Sequence, residues 1–340
     1  MRRKPLLPLP LLWLVALAFA LAAPALVTGP ASAAPPPCKG RDLSNSADVK
    51  PDLVAHADDL VNGEGLLWRV EKPGLAPSYV YGTIHSSNTA AVALAKEALA
   101  YLDGAKVVAT ELGGPMDAAE KVDLASGMLR AALSPRQDTL AGAMSANDSS
   151  VVDAFLSARG YPQEMSHHLE LWFLAVAASL PICETEGSLE GLPEVDEVIA
   201  KFGRGHGLPV VGLETVVEQT QTLTSVPNKL AATMLLAAAR APDLNDDAYV
   251  TLLSLYSQKR PALAIAILDA IPGLTAEERS AEAEFTRLLL VGRNELMMRR
   301  AAPLLAEGAA FIAVGALHLP GKDGLIERAR AAGYRVVKVW

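Results

Sequence analysis

The chain has 340 residues, 51% of them hydrophobic, so it can bury a large core in one elaborated domain or two small ones. Its formal net charge is −8, which argues against the basic surface that nucleic acid requires. Only two cysteines, Cys38 and Cys183, are present.

Arg2, Arg3 and Lys4 precede an apolar run from Leu6 to Val27, and Ala31-Ser32-Ala33 places small residues where a signal peptidase reads. Residues 1–33 are therefore expected to be a signal peptide cleaved after Ala33. The mature chain would be periplasmic or secreted, with no stable membrane anchor. The competing reading is an uncleaved anchor, since the run is nearly long enough to span a bilayer. Pro8, Pro10 and Pro24 weigh against it. Cleavage removes three positive charges and makes the chain more acidic. In an oxidising compartment a lone cysteine pair favours a disulfide over a metal site, which predicts a Cys38–Cys183 bridge. Two free, buried thiols are the alternative.

Residues 34–64, with Pro35-Pro36-Pro37, read as an N-terminal arm before a domain over 65–340. Residues 65–70 predict a strand, Pro73-Gly74 and Pro77 a turn, and residues 79–84 a second strand, together an antiparallel hairpin. Ser86-Ser87-Asn88-Thr89 offers N-caps for a helix over about 90–102, and Lys106 to Leu112 reads as a third strand. Strand, helix and strand of this length predict a parallel pair with a right-handed crossover. The C-terminal end repeats the plan, with a strand over 311–317, a helix over 323–332 and a strand over 335–339. Its helix should be about one turn shorter. Between the two, about 115–305, alanine- and leucine-rich periodic runs punctuated by prolines predict a long helical insertion. It is interrupted by a strand over 208–213, which follows a helix near 195–202. The expected fold is α/β, with a mixed, mainly parallel sheet built from two βαβ-like halves.

Each half carries glycine three places before histidine at a strand end: Gly82-Thr83-Ile84-His85 and Gly315-Ala316-Leu317-His318. Parallel strands share a carboxyl edge, where α/β proteins place their ligands. His85, Glu111, Glu214 and His318 each end a predicted strand, so one edge would gather two imidazoles and two carboxylates. Such a set suits Zn, Mn, Co or Fe. Gly82 and Gly315 would admit a close backbone or ligand. Alternatively, Glu214 caps the following helix and the histidines are hydrogen-bonded structural residues.

Asn294, beside Arg293, falls on the apolar stripe of a long helix, where a buried amide must find partners. It either faces the sheet edge, to bind substrate or orient a ligand, or bonds a neighbouring helix. His167-His168 read as core-packing and capping residues within a helix over 164–180, His206 as a turn residue after a helix, and His56 as part of the arm. No G-x-S-x-G elbow or phosphate-binding glycine loop occurs, so serine hydrolase and nucleotide-binding readings lack support.

The stretches LLWRVEKPGLAPSYVYGTIH (residues 66–85), the strand with Glu111, LPVVGLET (208–215), the Arg293-Asn294 helix and FIAVGALHLPGKDGLIERARAAGYRV (311–336) resemble the TraB/GumN family, which includes the eukaryotic Tiki proteins. The expected signal peptide places the chain nearer the bacterial branch than Tiki. The resemblance implies a metallopeptidase or related metallohydrolase acting on a peptide or protein. His85 and His318 match the two motif histidines and Glu111 the acidic strand end, giving the expected ligands of a divalent Mn, Co or Zn ion. Glu214, Arg293 and Asn294 are the expected catalytic groups, with Glu214 carrying a proton and the other two stabilising an oxyanion. TraB-type proteins are associated with peptide pheromone shutdown, so non-catalytic peptide sequestration is the alternative. A role in envelope polysaccharide export rests on the GumN name alone.

Overall fold

The computed structural model describes residues 38–45, 54–55, 57, 59–114, 126–135, 138–269, 280, 284 and 287–340. The expected signal peptide and His56 lie outside the described residues. Six strands form one mixed sheet: β1 (Leu67–Glu71), β2 (Ser78–Thr83), β3 (Val107–Thr110), β4 (Val210–Gly212), β5 (Ala310–Gly315) and β6 (Arg335–Lys338), in the order β4-β3-β5-β2-β1-β6. The contacts β4–β3, β3–β5 and β5–β2 are parallel, and β1 is antiparallel to both β2 and β6.

The expected hairpin is therefore present, but both predicted crossovers join strands that are not neighbours. β5 sits between β2 and β3, and β6 lies at the far edge beside β1. The reason lies in composition. Phe311, Ile312, Ala313 and Val314 are at most 2% exposed, so β5 is apolar on both faces and takes a central place covered on each side. β6 buries Val336, exposes Arg335 and Lys338, and serves as an edge.

Side chains alternate across the sheet. Val80, Ile312 and Val314 pack on one face beneath Met297, Ala301 and Ile326. Tyr81, Phe311 and Ala313 pack on the other against Ala91, Ala95, Val195 and Ile199. The covering helices are α1 (Thr89–Ala98) and, from the insertion, Val195–Gly205; opposite them lie Gly292–Glu307 and Leu325–Ala331. The helix after β2 has ten residues and the one after β5 has seven, about the expected turn apart. Asn88 is the N-cap of α1, accepting from the Ala90 and Ala91 amides.

The insertion builds its own core around Leu171–Ser179, whose nine residues are all buried, packed with Asn228–Arg240. The predicted single helix over 164–180 is instead two, Gln163–Ser166 and Leu171–Ser179, with His167 and His168 at the break. His167 caps the end of Gln163–Ser166, as the capping reading expects, but is not core-packed. Its Nδ1 is 3.0 Å from Asp138 and its Nε2 2.9 Å from Asp153. A further cluster joins Pro242–Ser257 and Pro261–Asp269 to the arm, and the Cys38–Cys183 disulfide ties that arm to Ile182–Leu189. No helix among the described residues is long and apolar enough to cross a membrane.

Candidate functional site

The four parallel strands β4-β3-β5-β2 end side by side, and their carboxyl ends carry Glu214, Glu111, His318 and His85 in that spatial order. Thr83 pairs with Gly315, so the last residue of β2 meets the glycine of the second motif, and the two histidines leave adjacent strands. After Gly315 the chain turns through a 3-10 segment, Ala316–His318, which tucks His318 under the edge at 1% exposure. His85, Glu111 and His318 line one pocket.

Each imidazole is oriented through Nδ1. Asn294 Nδ2 donates to the Asp323 carbonyl at 3.0 Å, and a carbonyl can only accept, so Asn294 Oδ1 faces His318 Nδ1 at 2.6 Å. His318 therefore donates from Nδ1, and its Nε2 carries the lone pair. His85 Nδ1 lies 3.0 Å from Asp196 Oδ2, whose other oxygen accepts from the Thr83 hydroxyl at 3.0 Å. The two settings differ in charge. Burial and the Arg293 charge, partly offset by Glu111, hold the His318 imidazole down at about 3. Burial also opposes charge on His85, but the charge and hydrogen bond of Asp196, backed by Glu111 and Glu194, push it up to about 9.

Arg293 clamps the two carboxylates. Its Nη2 lies 2.6 Å from Glu111 Oε2 and 2.6 Å from Glu214 Oε2, and its Nε lies 3.0 Å from both Glu214 oxygens. Gln219 Nε2 adds bonds of 3.3 Å to Glu111 and 3.4 Å to Glu214. Burial disfavours a charged Glu111, but Arg293, the two histidines and the Gly315 amide hold its carboxyl well below the usual range. Its Oε1 accepts from that amide at 2.7 Å and stands 3.7 Å from His318 Nε2.

Both motif glycines make room. A Cβ on Gly82 would come within 2.8 Å of Leu319 and 3.0 Å of the Ala316 backbone, so Gly82 lets the second motif pack against the first. A Cβ on Gly315 would come within 3.1 Å of Glu111 Oε1 and 3.3 Å of the His318 ring, filling the space between them.

Residues 66–338 match the model of the TraB/PrgY/gumN family. The chain belongs to this family. Comparison with curated proteins and with solved structures gave no match. Within this TraB/PrgY/gumN chain the capping alternative for Glu214 is excluded by geometry, because Thr215 and Glu218 form the capping box of Val216–Thr224. Asn294 bonds the second motif histidine rather than the side chain of a neighbouring helix. His206 caps the end of Val195–Gly205, stacked on Phe202.

Three partners were missed from sequence. Asp196 and Gln219 each lie within the first turns of a helix, where an acid or amide reads as ordinary terminal chemistry. Glu184 sits beside Cys183 and accepts from Ser86 Oγ at 2.6 Å and from Ser87 at 3.0 Å, fixing the loop that follows His85. Only the acids crowded after Pro193, Glu194 and Asp196 to Glu197, gave any signal.

The donor set fits a divalent transition metal in chemistry. Two imidazoles with Nδ1 anchored to an acceptor is the arrangement that orients histidine ligands through Nε2. Two ligands about 2.1 Å from a tetrahedral ion stand about 3.4 Å apart, close to the 3.7 Å between His318 Nε2 and Glu111 Oε1. Among the described residues no three His, Cys, Asp or Glu side chains form a ready-made cage. The fit is of two oriented imidazoles and one carboxylate edge.

Proposed function

We propose that this chain is an exported metal-dependent hydrolase acting on peptide or protein substrates, with His85, His318 and Glu111 holding Mn, Co or Zn. The observation that carries the reading is the pair of histidines from adjacent strand ends, each bound through Nδ1, lining one pocket with Glu111. A bound divalent ion supplies water of lowered pKa and polarises a carbonyl. The chain's own residues do the rest. Asn294 and Asp196 keep the imidazoles aimed. Arg293 donates Nε and Nη2 to carboxylates, so its part is to keep Glu111 ionised and both glutamates in place rather than to reach an oxyanion. Glu111 is the carboxylate that lines the pocket, and Oε1 is its oxygen turned from Arg293, so Glu111 serves as the ligand carboxylate, whereas Glu214, bound to Arg293 and Gln219, steadies that clamp instead of carrying a proton. The Cys38–Cys183 disulfide supports export to an oxidising compartment.

The same pocket would also serve a second reading, a module that binds peptides without cutting them. Incubating the signal-free chain with a peptide library and Mn, Co or Zn separates the two. The hydrolase reading expects metal-dependent cleavage that falls to background in His85→Ala. Peptide binding with no cleavage under any of the three metals overturns it in favour of the binding module.

A further inference from the structure

The loop that leaves the first motif histidine is gripped by one carboxylate of the helical insertion. Ser86 and Ser87 follow His85 directly and are both buried. Glu184 Oε1 accepts from Ser86 Oγ at 2.6 Å, and its Oε2 accepts from the Ser87 amide and hydroxyl at 3.0 Å each; the Tyr249 hydroxyl also donates to Oε1. A Cβ on Gly187, one turn after Glu184, would come within 2.8 Å of Ser87 Oγ, so the helix carrying Glu184 is seated directly on this loop. The Ser86 carbonyl in turn accepts from the Val195 amide at 3.2 Å, one residue before the Asp196 that orients His85.

That helix, Ile182–Leu189, buries little of itself. Ile182, Thr185 and Glu186 are exposed, and Gly187, which has no side chain, is its only buried residue among those described. Apolar burial by the described residues therefore does little to fasten it. Its covalent fastening is Cys183, the neighbour of Glu184, bonded to Cys38 across a separation of 145 positions. The arm that carries Cys38 is anchored in its own right. Arg41 bonds Asp247 at 2.6 and 3.0 Å, and the Leu43 amide donates to Thr251 Oγ1 at 2.8 Å, both on helix Pro242–Ser257. The disulfide thus ties a lightly packed helix to a firm support, and both of its cysteines are half-buried rather than sealed.

We propose that Glu184 is a positioning residue for His85 and that the Cys38–Cys183 bond makes its grip thiol-sensitive. With the bond closed, Glu184 fixes Ser86 and Ser87, and so the backbone that presents the imidazole. A dithiol opens the bond. One of its thiols attacks a sulfur of the bridge and the second resolves the mixed disulfide; two electrons pass to Cys38 and Cys183, which end as thiols, and the dithiol leaves as a disulfide. The freed helix then releases the loop. This inference rests on the proposed function only for the metal that His85 would hold, and the state of the loop is read without it.

Two readouts test it in the oxidised chain and in the chain reduced with dithiothreitol and desalted anaerobically: the amide NMR resonances of Ser86, Ser87 and Asn88 without metal, and the affinity for Mn, an ion that thiols bind weakly. Reduction should shift or broaden the three resonances, leave those of Phe311 to Val314 in place, and weaken Mn binding about 10-fold. Oxidised Glu184→Ala should show the same loss, and reducing it should add less than about 2-fold, because the bond acts through Glu184. Glu184→Gln keeps one acceptor and should lose less. Circular dichroism checks that each sample is folded; if Glu184→Ala is not, Gly187→Ala, which pushes the helix off Ser87, takes its place. Loop resonances that stay put on reduction overturn the latch, as does equal Mn affinity in the oxidised and reduced chains. A loss on reducing Glu184→Ala as large as that of the wild type also overturns it, by assigning the bond to stability alone. A chain that binds no Mn in either state, with loop resonances that still move on reduction, removes the metal reading and leaves the latch standing.

Discussion

At the scale of the residue, the two motif histidines are held by different acceptors, and the difference sets their charge. An amide oxygen faces His318 and a carboxylate faces His85. The first leaves a neutral ring with a free lone pair on Nε2, and the second favours the imidazolium, whose proton a metal ion would have to displace. Asp196→Asn and Asn294→Ala should each weaken Mn or Zn affinity about 10- to 100-fold, the usual cost of losing a histidine-orienting partner. Competition titration reads this, and a loss below 2-fold in both would count against orientation. Arg293 is the cationic partner of two buried carboxyl groups, so Arg293→Met should cost about 3–5 kcal/mol in urea unfolding. A loss under about 1 kcal/mol would mean that the carboxylates find other partners. The histidines and Glu111 were legible because strand ends announce themselves by composition. Asp196 was not, because nothing local ties it to a histidine 111 positions earlier.

At the scale of the element, strand identities were readable and their order was not. Apolar alternation and turn residues marked β1, β2, β3 and β5 within a few positions. Chain order suggested that β2 would lie beside β3, whereas the two-faced apolar strand β5 takes the central place between them. That insertion is what brings the histidine motifs onto neighbouring strands. The short helix Ile182–Leu189 joins the arm to the site, since Cys183 bonds Cys38 and Glu184 binds Ser86, Ser87 and the Tyr249 hydroxyl. Cys183→Ser should lower stability by about 2–5 kcal/mol and should lower the melting temperature of the oxidised protein only. Equal melting of the variant and the oxidised wild type would contradict this. The break at His167 carries a separate signature. Burial opposes its charge, but bonds to Asp153 and Asp138 raise its pKa. A raised histidine pKa stabilises the fold below the ordinary value near 6.5 and stops doing so as pH rises through the folded value. His167→Gln should therefore destabilise at pH 5.5 and have little effect at pH 9 in parallel melts. An equal loss at both pH values would assign the residue to packing.

At the scale of the whole molecule, a layered sheet supplies the histidine-bearing edge and the helical insertion supplies Leu252, Tyr256, Pro261 and Ala264 to the pocket lining. His85 and His318 are 233 positions apart and are brought together by one parallel register, Thr83 against Gly315. The repeated glycine–histidine spacing exposed this pairing in the sequence. The lining from Leu252 to Ala264 stayed hidden, because apolar residues on helices read the same whether they face a core or a cavity. The proposed hydrolase activity depends most on the paired histidines binding a metal. Elemental analysis of the signal-free chain, equilibrated with Mn, Co and Zn and then desalted, tests this most directly beside His85→Ala/His318→Ala. A metal held by both histidines gives about one equivalent of one ion in the wild type, with a raised melting temperature, and none in the folded double variant. A wild type that retains no ion and shows no melting shift, or a double variant that retains the same amount, would contradict it.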